Sequence, residues 1–172
     1  MKMKVLGAVL ILVATSWAGL EAARHFTERT RQLRQLKVAL QSLEAEIMYG
    51  HMPLADAAKN IASQLDKPLN WFFEEFATKL RKAEESVKDA WNSSLDEIWK
   101  NTALKKAELE ILKQFGETLG QHDRSTQQKH IILALTHLER EELDARDRQA
   151  KYEKMVKSLG LLTGLLLVIL LM

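Results

Sequence analysis

Five histidines are the natural place to seek a metal ion or a general base, because imidazole is the one side chain whose ordinary pKa lies near neutrality. His130 and His137 stand seven residues apart, nearly on one face of a helix, with Glu141 a turn further on. Helical zinc motifs set two histidines four apart around a glutamate. That spacing is absent, so polar rim positions account for both residues. His122-Asp123 could join a hydrolase metal site, but the further His and Asp ligands cannot be placed, and a capped loop is the plainer reading. These four residues leave a membrane-anchored, helical metal-dependent hydrolase as the alternative function. No metal, cofactor or catalytic residue is assigned.

Other chemistry is scarcer still. The chain has no cysteine, which removes disulfides, thiolate metal sites and thiol nucleophiles. No glycine-rich phosphate loop, G-x-S-x-G elbow or dinucleotide fingerprint occurs, so any use of nucleotide energy falls to a partner. Tryptophan is enriched at interface hot spots. Trp71 reads as core, while Trp91 and Trp99 stay open between core and partner anchor. With Lys2 and Lys4 set aside, the 25 basic residues match the 23 acidic ones. A neutral middle with no long basic stripe argues against nucleic-acid binding.

Helices must position all of these residues. Leu33, Leu36, Leu40, Leu43 and Ile47 step by three and four, which predicts a helix from near Thr27 to a cap at Gly50. Pro53 opens a second helix through Leu54, Ala57, Ala58, Ile61 and Leu65. Pro68 precedes a third, carrying Leu69, Phe72, Phe73, Phe76 and Leu80. A short fourth holds Val87, Ala90 and Trp91. Asn92-Ser93-Ser94 reads as a breaker and cap before a short fifth with Leu95, Ile98 and Trp99. Leu104 to Leu119 makes a sixth, closed by Gly120, and Gly116 inside it implies a close backbone approach. From Ser125 nothing interrupts the helical pattern to Met172, although Glu139 to Arg148 reads as a solvated stalk with i,i+4 pairs. No segment alternates with period two, so strands are not expected.

Both ends are apolar. Val5–Leu20 and Leu159–Met172 carry no charge. At ~1.5 Å per residue they cover roughly 24 Å and 21 Å of a hydrocarbon core of ~30 Å. Lys2, Lys4, Lys154 and Lys157 can snorkel, and Trp17 and Tyr152 suit the headgroup level, which brings each run to spanning length. The first run also fits a secretory leader, with Ser16 and Ala18 at cleavage-like spacing; the span is the preferred reading. Gly160 and Gly164 form a G-x-x-x-G spacing suited to helix pairing, self-association included. Arg24, Arg29, Arg31 and Arg34 after the first run, and Lys154 and Lys157 before the second, put the middle on the cytoplasmic side of the cell membrane. The same arginines could also meet anionic lipid head groups.

Arg31-Gln32-Leu33-Arg34-Gln35-Leu36, Leu43 through Gly50, Leu112 through Gly120, and His130 to Glu139 closely resemble the stage III sporulation protein AB family of endospore-forming bacteria, and the likeness runs end to end. That family is similar in turn to the cytoplasmic helical domain of the inner-membrane platform proteins of type II secretion and type IV pilus systems. In that comparison Gly50-Pro53-Leu54 resembles the first inter-helix turn, and Gly116-Glu117-x-x-Gly120 the glycine-glutamate motif. The resemblance implies a non-catalytic platform in the mother cell's septal or engulfing membrane, within a channel complex linking mother cell and forespore. It implies as partners a secretion-type cytoplasmic ATPase and other membrane subunits of the channel. Gly116, Glu117, Gly120, Trp91 and Trp99 are the candidate partner-binding residues; Gly116 and Gly120 suit a tight helix crossing, and a structural role for Glu117 is preferred. The expected fold is all-α: a bundle of about six helices at 24–150 between transmembrane helices at 1–23 and 151–172.

Overall fold

The computed structural model describes residues 2–50, 52–120 and 123–171, and the side chains from Phe26 to Leu159 within them except those of Arg124 and Lys157. Among the described residues six α-helices follow one another: α1 (Lys2–Tyr49), α2 (Leu54–Ala62), α3 (Leu69–Lys82), α4 (Val87–Ile98), α5 (Lys106–Gly116) and α6 (Arg124–Leu171). A 3-10 turn at Trp99–Asn101 follows α4. The protein is all-α, and among the described residues there is no strand. Nor is any helix, among those residues, long and apolar enough to cross a membrane. The side chains of the two apolar runs, Leu159 apart, lie outside the described ones, as do those of Arg24, Lys157, Gly160 and Gly164.

Two units divide the chain: Arg31–Leu143, and Met1–Thr30 with Asp144–Met172. In the first, the leucine stripe of α1 is the spine of the core, with Leu33, Leu36, Leu40 and Leu43 fully buried. Burying each such side chain contributes about 1.5–3 kcal/mol. Around it α2 packs on α3, α3 on α4 and α4 on α5. Their apolar faces supply Ala57, Ala58, Ile61, Phe72, Phe73, Phe76, Trp91 and Leu112, while α6 closes the core with Ile131 and Leu138. Gln32, buried on α1, accepts from the Ala103 amide at 2.8 Å. That bond ties the segment before α5 to the spine and satisfies an amide that would otherwise be orphaned inside.

In the second unit, Phe26 of α1 packs on Tyr152 of α6 with ring centroids 5.1 Å apart. Arg29, 2% exposed, donates to Asp144 at 3.4 Å. Arg148 holds the same carboxylate from one turn along α6, its Nε lying 3.0 and 2.9 Å from the two oxygens. The Arg148 hydrogen bond, opposed by partial burial and reinforced by the charges of Arg148 and Arg29, keeps Asp144 below the usual carboxylate range.

Three helix boundaries depart from the sequence pattern. The first helix begins at Lys2 rather than near Thr27, since no proline or glycine cap stands between the apolar run and the leucine stripe. Asn92-Ser93-Ser94 does not break the chain: Ser94 Oγ donates back to the Ala90 carbonyl at 2.7 Å and Ser93 Oγ to the same oxygen at 3.3 Å. Bonded to the preceding turn, these serines stay within the helix, so two short helices become the single α4. The cap of α4 is Ser86, which accepts from the Asp89 amide at 3.1 Å while its hydroxyl donates to the Asp89 carboxylate at 2.6 Å. Finally, α5 ends at Gly116, and turns carry the chain to Gly120, whose φ of 79° is left-handed backbone that glycine adopts at no steric cost.

Candidate partner-binding site

The glycine-glutamate segment meets α4 residue for residue. A Cβ on Gly116 would overlap Cδ1 of the Trp91 indole and stand 3.0 Å from its Nε1. The missing side chain is thus the socket in which the indole lies. From that socket Trp91 Nε1 donates to the Leu112 carbonyl at 2.8 Å. Glu117 faces outward and pairs with Lys88 Nζ at 2.6 Å. This bond raises the Lys88 ammonium above the ordinary lysine value. At Gly120 a Cβ would stand 3.2 Å from a methyl of Val87. Residues 116, 117 and 120 therefore answer 91, 88 and 87, the same one-and-four spacing on two antiparallel partners.

Trp91 is consequently no partner anchor. It is fully buried, with four phenylalanines edge-on around it at centroid distances of 4.8 Å (Phe72), 6.1 Å (Phe73), 5.1 Å (Phe76) and 5.2 Å (Phe115). Its N–H has a protein partner, as a buried indole requires. Trp99 is half-buried in the 3-10 turn and lines an apolar crevice with Leu36, Leu69, Phe72, Leu95 and Leu112. Trp71, expected in the core, is 38% exposed, with Lys67 Nζ 5.0 Å from its ring centroid. Among the described tryptophans the most exposed one is thus on α3.

Of the arginines read as flanking a membrane, Arg29 is buried against Asp144 and is not free to meet lipid. Arg31 pairs with Asp66 at 2.9 Å and Arg34 with Glu142 at 3.5 Å, so their charge is spent largely within the protein. Lys154 is exposed on α6.

The two histidines with described side chains, His130 and His137, form no metal centre with other described residues. His122 lies outside the described residues. Asp123 accepts from the Thr126 amide at 2.9 Å and so caps α6. His130 and His137 line a shallow groove with Ile111, Gln114, Phe115 and Leu133. Among the described residues no three His, Cys, Asp or Glu side chains come together to hold a metal, which leaves the hydrolase alternative no cluster there. Glu108 stands in line with the apolar residues of α5. It is fully buried and accepts from the Lys105 amide at 2.7 Å. A glutamate three residues into a helix, in line with leucines, is the capping signal that reveals it.

Residues 4–172 match the family model described as stage III sporulation protein AB. Stage III sporulation protein AB of Bacillus subtilis (strain 168) is 61% identical over 170 residues, 99% of each chain. A solved structure of a stage III sporulation protein AB, 58% identical, superposes with a TM-score of 0.70 over 72% of this chain and 98% of that one.

Proposed function

The chain belongs to the stage III sporulation protein AB family, and we propose that its role in sporulation is that of a non-catalytic platform anchored in the mother cell's septal or engulfing membrane. In this reading its helical bundle faces the cytoplasm and docks a secretion-type ATPase, while its ends meet other membrane subunits of a channel between mother cell and forespore. The observation that carries the reading is the extent of the shared sequence: 170 residues at 61% identity take in both apolar ends as well as the bundle. A soluble enzyme has no use for two uncharged runs of roughly 24 Å and 21 Å at opposite ends of its chain. Val5–Leu20 lies in α1 and Leu159–Leu171 in α6, helices of 48 residues each, and both runs are bordered on the bundle side by basic residues.

The test is affinity capture of the full-length protein, solubilised in detergent from sporulating cells. A nucleotide-hydrolysing partner is expected in the eluate, and its consistent absence sinks the docking role. Reporter fusions within residues 24–150 check the orientation separately: activity only on the outer side of the membrane would overturn it.

A further inference from the structure

Within residues 31–143, the first and last helices of the bundle meet along a seam of mixed character. Leu33, Leu36, Leu40 and Leu43 of α1 and Ile131 and Leu138 of α6 are all fully buried. Among them lies a charged pair. The Lys37 side chain, 16% exposed, places Nζ 2.9 Å from Glu142 Oε2, and the Glu142 side chain is itself only 7% exposed. At the rim Glu139 also accepts from Lys37, and Arg34 Nε approaches the other Glu142 oxygen at 3.5 Å. Burial alone would lower the Lys37 ammonium. Hydrogen bonds to Glu139 and Glu142, with their charges, outweigh it and hold Lys37 above the ordinary lysine value.

Apolar side chains repeating every three or four residues define a face but not a height. A slip of α6 by one turn, about 5.4 Å, sets aliphatic side chains against leucines again. The charged pair does not tolerate that slip. In one direction Lys37 would face Leu135 and Leu138, and Glu142 would face Leu33. In the other, Lys37 would face Leu143 and Arg146, and Glu142 would face Gln41. Either way a desolvated carboxylate loses its cation. Buried ion pairs add little net stability compared with well-packed apolar residues, and register selection is their best-attested use.

We infer that Lys37 and Glu142, with Arg34 and Glu139 at the rim, form a register key that fixes the axial setting of the first helix against the last, and that this, rather than stability, is what the pair contributes. The chain has no cysteine of its own, so engineered pairs report register cleanly. Gln128 Nε2 lies 3.0 Å from Glu44 Oε1 in the native setting. Glu44→Cys with Gln128→Cys therefore reads that setting, while Glu44→Cys with Ile132→Cys and Glu44→Cys with Arg124→Cys read a one-turn slip in one direction and the other. In full-length protein in detergent, a short bis-maleimide should join the native pair about tenfold faster than either slipped one. Adding Lys37→Met with Glu142→Leu should bring the native and slipped rates together while the melting temperature holds or rises. The charge-exchanged Lys37→Glu with Glu142→Lys, made together with Arg34→Glu and Glu139→Lys so that every pair of the key keeps opposite signs, should keep the native preference. Retention of the native preference by the apolar double variant would overturn the inference, and so would loss of it in the exchanged one. A marked fall in melting temperature of the apolar variant would overturn it as well, because the pair would then be a source of stability.

Discussion

Gly116→Ala should destabilise this protein, against the usual sign of that substitution in a helix. Alanine in place of glycine gains about 0.5–1 kcal/mol of helix propensity when nothing else changes. Here the new methyl would sit far inside van der Waals contact with Trp91 Cδ1 and 3.1 Å from Cγ. The indole cannot step aside easily, because Phe72, Phe73, Phe76 and Phe115 pack edge-on around it. Overpacking of this kind costs about 1–3 kcal/mol. If the ring retreats and Nε1 leaves the Leu112 carbonyl, an unsatisfied buried donor costs a further 1–3 kcal/mol or so. The net loss is about 2 kcal/mol, equivalent to about 4–8 °C in melting temperature for a chain of this size. Thermal unfolding of the full-length protein in detergent, followed by circular dichroism, measures it. Trp91→Phe separates the cause: with the smaller ring in place, adding Gly116→Ala should cost far less than it does in the wild type. A Gly116→Ala protein as stable as the wild type, or more so, would show that the glycine is not there for the indole.

Gly120→Ala should cost about 1–2 kcal/mol, because φ is 79° and a Cβ there is disfavoured by roughly that much; Gly120→Asn should cost less, and thermal melts rank the two. Asp144→Asn should flatten the acid side of the stability profile. Because Asp144 is held below the ordinary carboxyl value by Arg148, and secondarily by Arg29, its contribution is fully present above the unfolded value and is lost as pH falls through the depressed one. Melting temperatures taken downward from about pH 5 should therefore fall less steeply in the variant, and a slope equal to that of the wild type contradicts the assignment.

Helix type and most boundaries were legible because each rests on a local signal. Gly50, Pro53 and Pro68 punctuate the chain by what their own backbones allow. The serines of α4 were not legible, since the same hydroxyl caps a helix or bonds back to the preceding turn depending on whether the chain continues. The tryptophans show a different failure. Position in the period already assigned them: Trp91 falls in line with Val87, Ala90, Ser94 and Leu95, whereas Trp71 stands off the stripe of Leu69, Phe72, Phe73 and Phe76. Residue type taken above period sets Trp71 in the core and leaves Trp91 undecided, whereas the period places both. The ionic seam lay beyond reach for a third reason. Lys37 and Glu142 are separated by most of the chain, and nothing local marks either as buried.

These placements bear on how a docking surface can be built. Gly116 is filled by the Trp91 indole, Trp91 is sealed within the core and Gly120 has no side chain to offer, so Glu117 presents the charged group of the glycine-glutamate segment to solvent. It does so already neutralised by Lys88. A partner contacting this segment would have to exchange one exposed ion pair for another, a trade with little net gain in water. Binding energy must come chiefly from apolar side chains that leave water, and on residues 31–143 those are Val38 and Tyr49 of α1, Met52 before α2, Trp71 of α3, and Ile132, Leu133 and Leu143 of α6, each more than a third exposed. The motif thus fixes α4 against α5, and in the proposed docking role it would serve a partner indirectly, by keeping the shape of the surfaces around them. Loss of docking through a glycine substitution would then follow loss of packing. Loss through Trp71→Ala would come with the bundle intact.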